Sequence, residues 1–245
     1  MRRLIIVIWV LSFSLLRAQV DTSKVNSNDT VVNSLDTLDL VTKDSVQSIN
    51  ISEENEVQMS EISGIYPLFN MYDYWADDHM NPYRFIKLPK KTRVKIKILQ
   101  EDCDFSLPID APTTSRFGYR WGRPHNGIDL DLETGDSVCA AFDGVVRLSR
   151  WYYGFGNLIV IRHFNGLETC YAHLSKRELK SGDLVNAGQY IGKGGSTGHS
   201  TGAHLHFEIH FMGKPINPER VIDFKNATLK VESLELKPRF FKDYY

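Results

Sequence analysis

The sequence predicts an all-β fold, a duplicated domain built as a β-sandwich or small barrel, and three observations carry that expectation. Residues 103–222 hold a dense series of short apolar or alternating runs, each bounded by Gly, Asn, Asp or Ser. Few stretches show the 3.6-residue periodicity of a helix. One motif recurs: "TGDSVCAAFDGVV" at 134–146 resembles "SGDLVNAGQYIGK" at 181–193, each with a Gly-Asp turn, a Val, a small residue and a second turn. Two copies are too few for a solenoid but fit a duplicated β motif.

The individual elements follow in chain order. "TRVKIKIL" (92–99) alternates polar and apolar residues as a strand does. "GIDLDL" alternates in the same way. "SVCAAFDGVVRLSR" reads as two short strands around Asp143-Gly144. "NLIVIRHFNGLETCYAHL" reads as a hairpin around Asn165-Gly166, because Asn-Gly readily adopts the positive φ angles of a tight turn. "VNAGQYIGKGGSTG" reads as one strand running into a glycine loop.

Composition and the termini set the context. The chain has 245 residues, a formal net charge of −1 and 42% hydrophobic residues, which is ordinary globular material. Near-neutral charge argues against nucleic acid as a partner. The first residues, "MRRLIIVIWVLSFSLLRAQ", place two arginines before an apolar run that ends at Arg17-Ala18-Gln19. That is the layout of a signal peptide over 1–18, and the run is shorter than the roughly 18–20 residues a membrane span needs. No cysteine ends the apolar run, so no lipid anchor is expected, and the mature chain is exported with no membrane contact after cleavage. Residues 19–60 are rich in Ser, Thr, Asn and Asp and lack aromatics beyond the leader, the composition of a disordered tether. Residues 61–102 begin with the aromatic cluster "YPLFNMYDYWADDHMNPYRF" and read as an N-terminal extension docked on the main domain. The main domain covers 103–222, and 223–245 is a C-terminal tail. Three cysteines, Cys103, Cys139 and Cys170, cannot all pair with one another. No C-x-x-C is present, so a cysteine-based zinc motif is not expected.

Several polar clusters carry chemistry. "HNGID" offers His125 and Asp129, an imidazole and a carboxylate, both good Zn²⁺ donors. In a straight strand their Cα atoms would lie about 13 Å apart, so a bend is expected at Asn126-Gly127. "AHLHFEIH" places His204, His206, Glu208 and His210 on one strand face. His204 and His206 are about 6.6 Å apart along the strand, which allows both to bind one ion, or one to bind while the other faces water. "YAHL" ends a strand at His173. The preceding loop "GKGGSTGHSTGA" has five glycines and lets backbone approach a ligand closely or simply turns a corner.

Together these stretches resemble the lysostaphin/LytM-type zinc metallopeptidases of bacterial cell walls. The resemblance rests on "TSRFGYRWGRPHNGIDL", "FGNLIVIRH", "YAHLS", "SGDLVNAGQYIGKGGSTGHSTGAHLHFEIH" and "NPER", and spans about 105–222. It implies a duplicated β fold and one Zn²⁺ per chain, held by His125, Asp129 and His206 with a position left open for water. It implies His173 and His204 as catalytic histidines outside the ligand set, and a zinc-dependent endopeptidase that hydrolyses peptide cross-links of peptidoglycan by a metal-activated water. All five positions carry the family's residue types. A non-catalytic regulator of a cell-wall amidase, or a peptidoglycan-binding module using the same cleft, is the alternative. Tyr119 and Arg120, just before the first ligand, are candidates for holding the oxyanion or a substrate carboxylate. His79, His163, His199 and His210 match no family ligand. Glu208 reads either as a hydrogen-bond acceptor for a ligand's second nitrogen or as polar surface. A polar tether after the signal fits a periplasmic enzyme, with an extracellular one as the alternative, and other cell-wall enzymes as possible partners.

Overall fold

A computed structural model describes residues 75–85, 93–99, 103–120 and 122–240. The expected signal peptide and tether, and the aromatic stretch before Trp75, lie outside the described residues. Among the described residues every regular element is a β-strand, apart from short 3₁₀ turns at Pro82–Phe85, Pro218–Arg220 and 238–240.

The main sheet has eight strands: Thr113–Ser115 (β1), Ile128–Asp131 (β2), Gly144–Tyr152 (β3), Gly156–His163 (β4), Glu168–Leu174 (β5), Leu184–Val185 (β6), His204–Phe211 (β7) and Lys214–Ile216 (β8). Their order is β6-β3-β4-β5-β7-β2-β1, with β8 paired to β7, and every pairing is antiparallel. The Asn165-Gly166 turn joins β4 to β5, with Gly166 at φ 82°. Gly166 N–H bonds the His163 carbonyl and the Asn165 amide reaches the Ile98 carbonyl, so the turn is tied to the preceding strand region.

Strand period divides the sheet into two faces. One face sends Ile128, Leu130, Ile159, Ile161, Tyr171, Leu205, Phe207 and Ile209 into the main core, all fully buried. Removing each such side chain from water contributes roughly 1.5–3 kcal/mol, which is why the register is held so firmly. The opposite face carries Glu168, Cys170 and Ala172 on β5 and His206, Glu208 and His210 on β7, aligned by the pairs His206↔Ala172, Glu208↔Cys170 and His210↔Glu168. The candidate residues therefore share a face because the hydrophobic half of the same strands must face the core.

The repeated motif explains the topology. The first copy's strand Ser137–Cys139 pairs with Tyr190–Lys193 of the second, while β6 of the second pairs with β3 of the first. Each copy thus completes the other's sheet. The stretch read as one strand, "VNAGQYIGK", is two: β6 and Tyr190–Lys193 lie in different sheets. The break is a turn in which Gln189 N–H bonds the Asn186 carbonyl, and Gly188 sits at φ 78°.

Beside the site row, the far end of the same face holds a buried charge network. Glu168 accepts from Arg147 Nε at 2.6 Å and Nη2 at 3.1 Å, and from Arg162 Nε at 3.1 Å. The Tyr83 hydroxyl also contacts Glu168. Arg147 donates further to the carbonyls of Ala76, His79 and Met80, so this one side chain binds the segment 75–85 onto the sheet. Burial alone pushes the Glu168 carboxyl up, but Arg147 and Arg162 pull it down to about 2. Val94–Lys97 pairs with Ser233–Leu236 and inserts Ile96 into the core.

Candidate metal centre and active site

The expected bend at Asn126-Gly127 is present. Arg123–His125 forms a hairpin with Gly118–Arg120, the chain turns, and Asp129 follows in β2. A Cβ on Gly127 would lie 2.3 Å from the Phe207 carbonyl oxygen and 2.8 Å from Glu208 Cγ, so only glycine lets the bend lie against β7. As a result His125 Nε2 comes within 3.0 Å of Asp129 Oδ1. Pairing of β7 with β2 sets His206 opposite Asp129, and His206 Nδ1 lies 2.8 Å from the same Oδ1 and 3.1 Å from His125 Nε2.

Three donor atoms thus converge from residues far apart in sequence, and their outer partners fix which atoms face inward. His125 Nδ1 lies 2.7 Å from the Arg116 carbonyl, which can only accept, so the ring proton sits there and Nε2 presents a lone pair. His206 Nε2 lies 3.0 Å from Glu208 Oε1, which places its proton outward and leaves Nδ1 bare. Arg120 Nη2 donates to Asp129 Oδ2 at 3.1 Å, leaving Oδ1 for the cluster. Two bare imidazole nitrogens and one carboxylate oxygen repel one another unless a cation or a proton lies between them. Donors around a tetrahedral Zn²⁺ sit about 3.3 Å apart, so the set fits that ion with small adjustments. Without metal, a proton takes the place: burial lowers the affinity of His206 for it, but Asp129 and Glu208 outweigh burial and raise the pKa to about 9.

Two further histidines flank the cluster. The His173 and His204 rings face each other at 4.8 Å between centroids, and His173 is 5.8 Å from the His206 ring. His173 Nδ1 donates to the Thr197 carbonyl at 2.7 Å, and His204 Nδ1 to the Gly202 carbonyl at 2.9 Å. Both rings are thus anchored at Nδ1 with Nε2 turned to the cluster side, and His204 Nε2 is 3.7 Å from Asp129 Oδ1. Burial lowers the His173 pKa to about 4, so the ring is neutral at physiological pH. His173 also has φ 61°, a left-handed backbone that nothing in "YAHLS" announces.

The structure gives the remaining candidates other partners. Tyr119 is 78% exposed and its hydroxyl donates to the Gly122 carbonyl within its own hairpin. Arg120 contacts Ser115 and Asp129, so it orients a carboxylate of the cluster. His163 is buried between the Asp143 carbonyl and Thr169 Oγ1, away from the centre. His79 is exposed, and His199 packs edge-on to Tyr153. Glu208, left open between two readings, is buried and bonded to His206. Cys139 and Cys170 are free thiols. The sequence reading missed the carbonyls of Arg116, Thr197 and Gly202 that set the tautomers, since backbone acceptors leave no residue-type signal. It also missed Phe155, 6.0 Å from the His206 ring between centroids.

Comparison with known proteins finds several similarities. Residues 123–218 match the profile of peptidase family M23. The chain is 43% identical over 134 residues to the DD-carboxypeptidase/endopeptidase Mpg of Neisseria meningitidis, covering 51% of this chain and 31% of that protein. It is 46% identical over 94 residues to the peptidoglycan DD-endopeptidase ShyA of Vibrio cholerae, covering 38% and 22%. The matched region thus spans a third or less of these two curated relatives. Among solved structures, a variant catalytic domain of the prophage-encoded M23 protein EnpA from Enterococcus faecalis is 34% identical, covering 47% of this chain and 95% of that one, with a TM-score of 0.44. The similarity to peptidase family M23 is carried by residues 123–218.

Proposed function

We propose that the chain is a zinc-dependent endopeptidase that hydrolyses DD-peptide cross-links of peptidoglycan. One observation carries the reading: three donor atoms from His125, Asp129 and His206 converge within 3.1 Å of one another, beside the imidazoles of His173 and His204, each held at Nδ1 by a backbone carbonyl. The names of the relatives Mpg and ShyA support the DD-peptide substrate. The amino-terminal layout supports export, with the periplasm as the compartment.

His125, Asp129 and His206 would hold one Zn²⁺. Bound there, the ion supplies Lewis acidity, lowering the pKa of water and polarising the scissile carbonyl. The chain's own residues do the rest. Asp129 is fixed by Arg120, and His206 by Glu208, so the donor set is preorganised. One of His173 and His204 accepts the proton of the attacking water at Nε2, and the imidazolium so formed returns it to the leaving amine. The Thr197 and Gly202 carbonyls hold the Nδ1 protons and stabilise that imidazolium as charge develops. The decisive experiment is digestion of purified sacculi by the zinc-loaded chain from residue 19 onward, with product masses read by spectrometry. Release of cross-link cleavage products, abolished by chelator, is the expected result. A folded, metal-loaded protein that binds sacculi and releases nothing establishes the regulator or binding-module reading instead.

A further inference from the structure

We infer that Cys170, Glu208 and His210 form a second metal site, for a thiophilic divalent ion such as Zn²⁺, on the same sheet face behind the first. A Cys170 Sγ, a Glu208 carboxylate oxygen and a His210 ring nitrogen all lie within 4.8 Å of one another. The strands impose this: β5 and β7 place Cys170 directly opposite Glu208, and His210 follows two residues on, on the same face. All three side chains are buried.

Three buried polar atoms of this cluster, Glu208 Oε2 and both ring nitrogens of His210, have no hydrogen-bond partner. His210 Nε2 lies 2.8 Å from Glu208 Oε2, yet the contact lacks hydrogen-bond geometry, and His210 Nδ1 also has no partner. Protein interiors leave few polar atoms unpaired, and an ion is one of the standard explanations for a group of them in one place. Thiolate, imidazole and carboxylate are the three donor types zinc takes from proteins, and a thiolate selects it over magnesium or calcium. Two anionic donors and one neutral donor balance a 2+ charge in a site that water barely reaches. Binding forms the metal–sulfur bond as the thiol proton leaves to solvent. The site shares no ligand with the His125–Asp129–His206 set. Glu208 divides its two oxygens, Oε1 accepting from His206 and Oε2 facing His210, so an ion on Oε2 braces the ligand that Oε1 orients.

Cobalt substitution of the chain from residue 19 onward distinguishes the two centres, since only the second contains sulfur. The expected result is two metal equivalents per chain and a thiolate-to-cobalt charge-transfer band in the near ultraviolet. Cys170→Ser should lose the band and one equivalent while still releasing peptides from sacculi. His125→Ala should keep the band, lose the other equivalent and release nothing. One equivalent and no band in the folded wild-type protein overturns the proposal. A band that survives Cys170→Ser also overturns it, because Cys103 or Cys139 would then be its source.

Discussion

His173 and Thr197 are joined by their backbones as well as by a side chain. Thr197 N–H bonds the His173 carbonyl at 3.3 Å, while the His173 ring donates to the Thr197 carbonyl at 2.7 Å. Thr197 is itself seated on Gly156, where an added Cβ would lie 2.3 Å from its hydroxyl oxygen. The left-handed backbone of His173 is therefore held from several sides, and the ring is placed before substrate arrives. This matters for choosing a variant. Asn tolerates positive φ where most residues do not, so His173→Asn removes the imidazole with little backbone penalty. It should keep the thermal midpoint within a few degrees and keep its metal, while kcat falls about 10²–10⁴-fold, the usual worth of a positioned proton carrier. A variant that loses metal in parallel with activity would assign His173 to the ligand shell.

Gly127 should be intolerant of the smallest change. Gly127→Ala drives a methyl into the Phe207 carbonyl and Glu208 Cγ, both on a central strand. Relief requires the His125 bend to lift away from β7, which separates His125 from His206. Expected costs are about 1–3 kcal/mol of stability by urea denaturation and a much larger fractional loss of bound metal. Gly202→Ala, where nothing lies within 4 Å of the added methyl, is the matched control and should change neither.

Metal affinity should depend steeply on pH. In the metal-free protein His206 holds a proton to about pH 9, because Asp129 and Glu208 outweigh the effect of burial. That proton must leave before Nδ1 can ligate. Apparent affinity should therefore rise about tenfold per pH unit from pH 6 to 8 and level off near pH 9. Chelator-competition titrations at several pH values measure the slope. A flat profile would place the displaced proton elsewhere.

How much of this was legible depended on how local each signal was. The strand runs, the Asn165-Gly166 turn and the Asn126-Gly127 bend are written in neighbouring residues, and the structure has them. The shared face of His204, His206, Glu208 and His210 follows from strand parity alone. That His125 and Asp129 meet His206 depends on the register of β7 against β2, which spacing could not supply and the family resemblance did. Arg147 and Glu168 were not read at all. In "VVRLSR" and "GLETC" they look like solvent-facing residues of alternating strands, and only the docking of 75–85 over that face buries them. The turn at Asn186–Gln189 was missed because "VNAGQYIGK" is continuous in β propensity, and the second copy must cross between sheets there to pair with the first. Tyr119 and Arg120 drew attention by proximity in sequence, and the hairpin bonds Tyr119 to the Gly122 carbonyl and Arg120 to Asp129, contacts that sequence spacing did not announce.

Arg147 should be more sensitive than any surface arginine. Arg147→Met preserves much of its volume but leaves Glu168 with one guanidinium fewer and frees the carbonyls of Ala76, His79 and Met80. Breaking a buried pair from one side typically costs about 3–5 kcal/mol, far above the effect of an exposed ion pair. The variant should also become cleavable by protease between residues 75 and 85. Combined with Glu168→Gln, the loss should be smaller than the sum of the two single losses, since Arg147 is one of the two buried guanidiniums that Glu168→Gln leaves without a carboxylate. Additive losses in the double variant would count against a coupled network.

The acid limb of stability should be set in part by His163, which has no place in the catalytic centre. Its ring is fully enclosed between the Asp143 carbonyl and Thr169 Oγ1, and burial lowers its pKa to about 4. Unfolded, a histidine titrates near 6.5. Between these values the unfolded chain binds a proton that the folded chain refuses. The contribution is therefore complete above about pH 6.5, declines as pH falls through the interval and is gone below about pH 4. A gap of this size corresponds to about 3 kcal/mol. His173 titrates in the same window, and Glu168 withdraws its own contribution lower, between about pH 4.5 and 2. The difference between two proteins isolates His163. Wild type and His163→Gln, unfolded in urea at pH 7 and pH 4.5, should diverge at pH 7 and converge at pH 4.5. Parallel curves at both pH values would show that His163 is charged in the folded protein and that its pocket admits water.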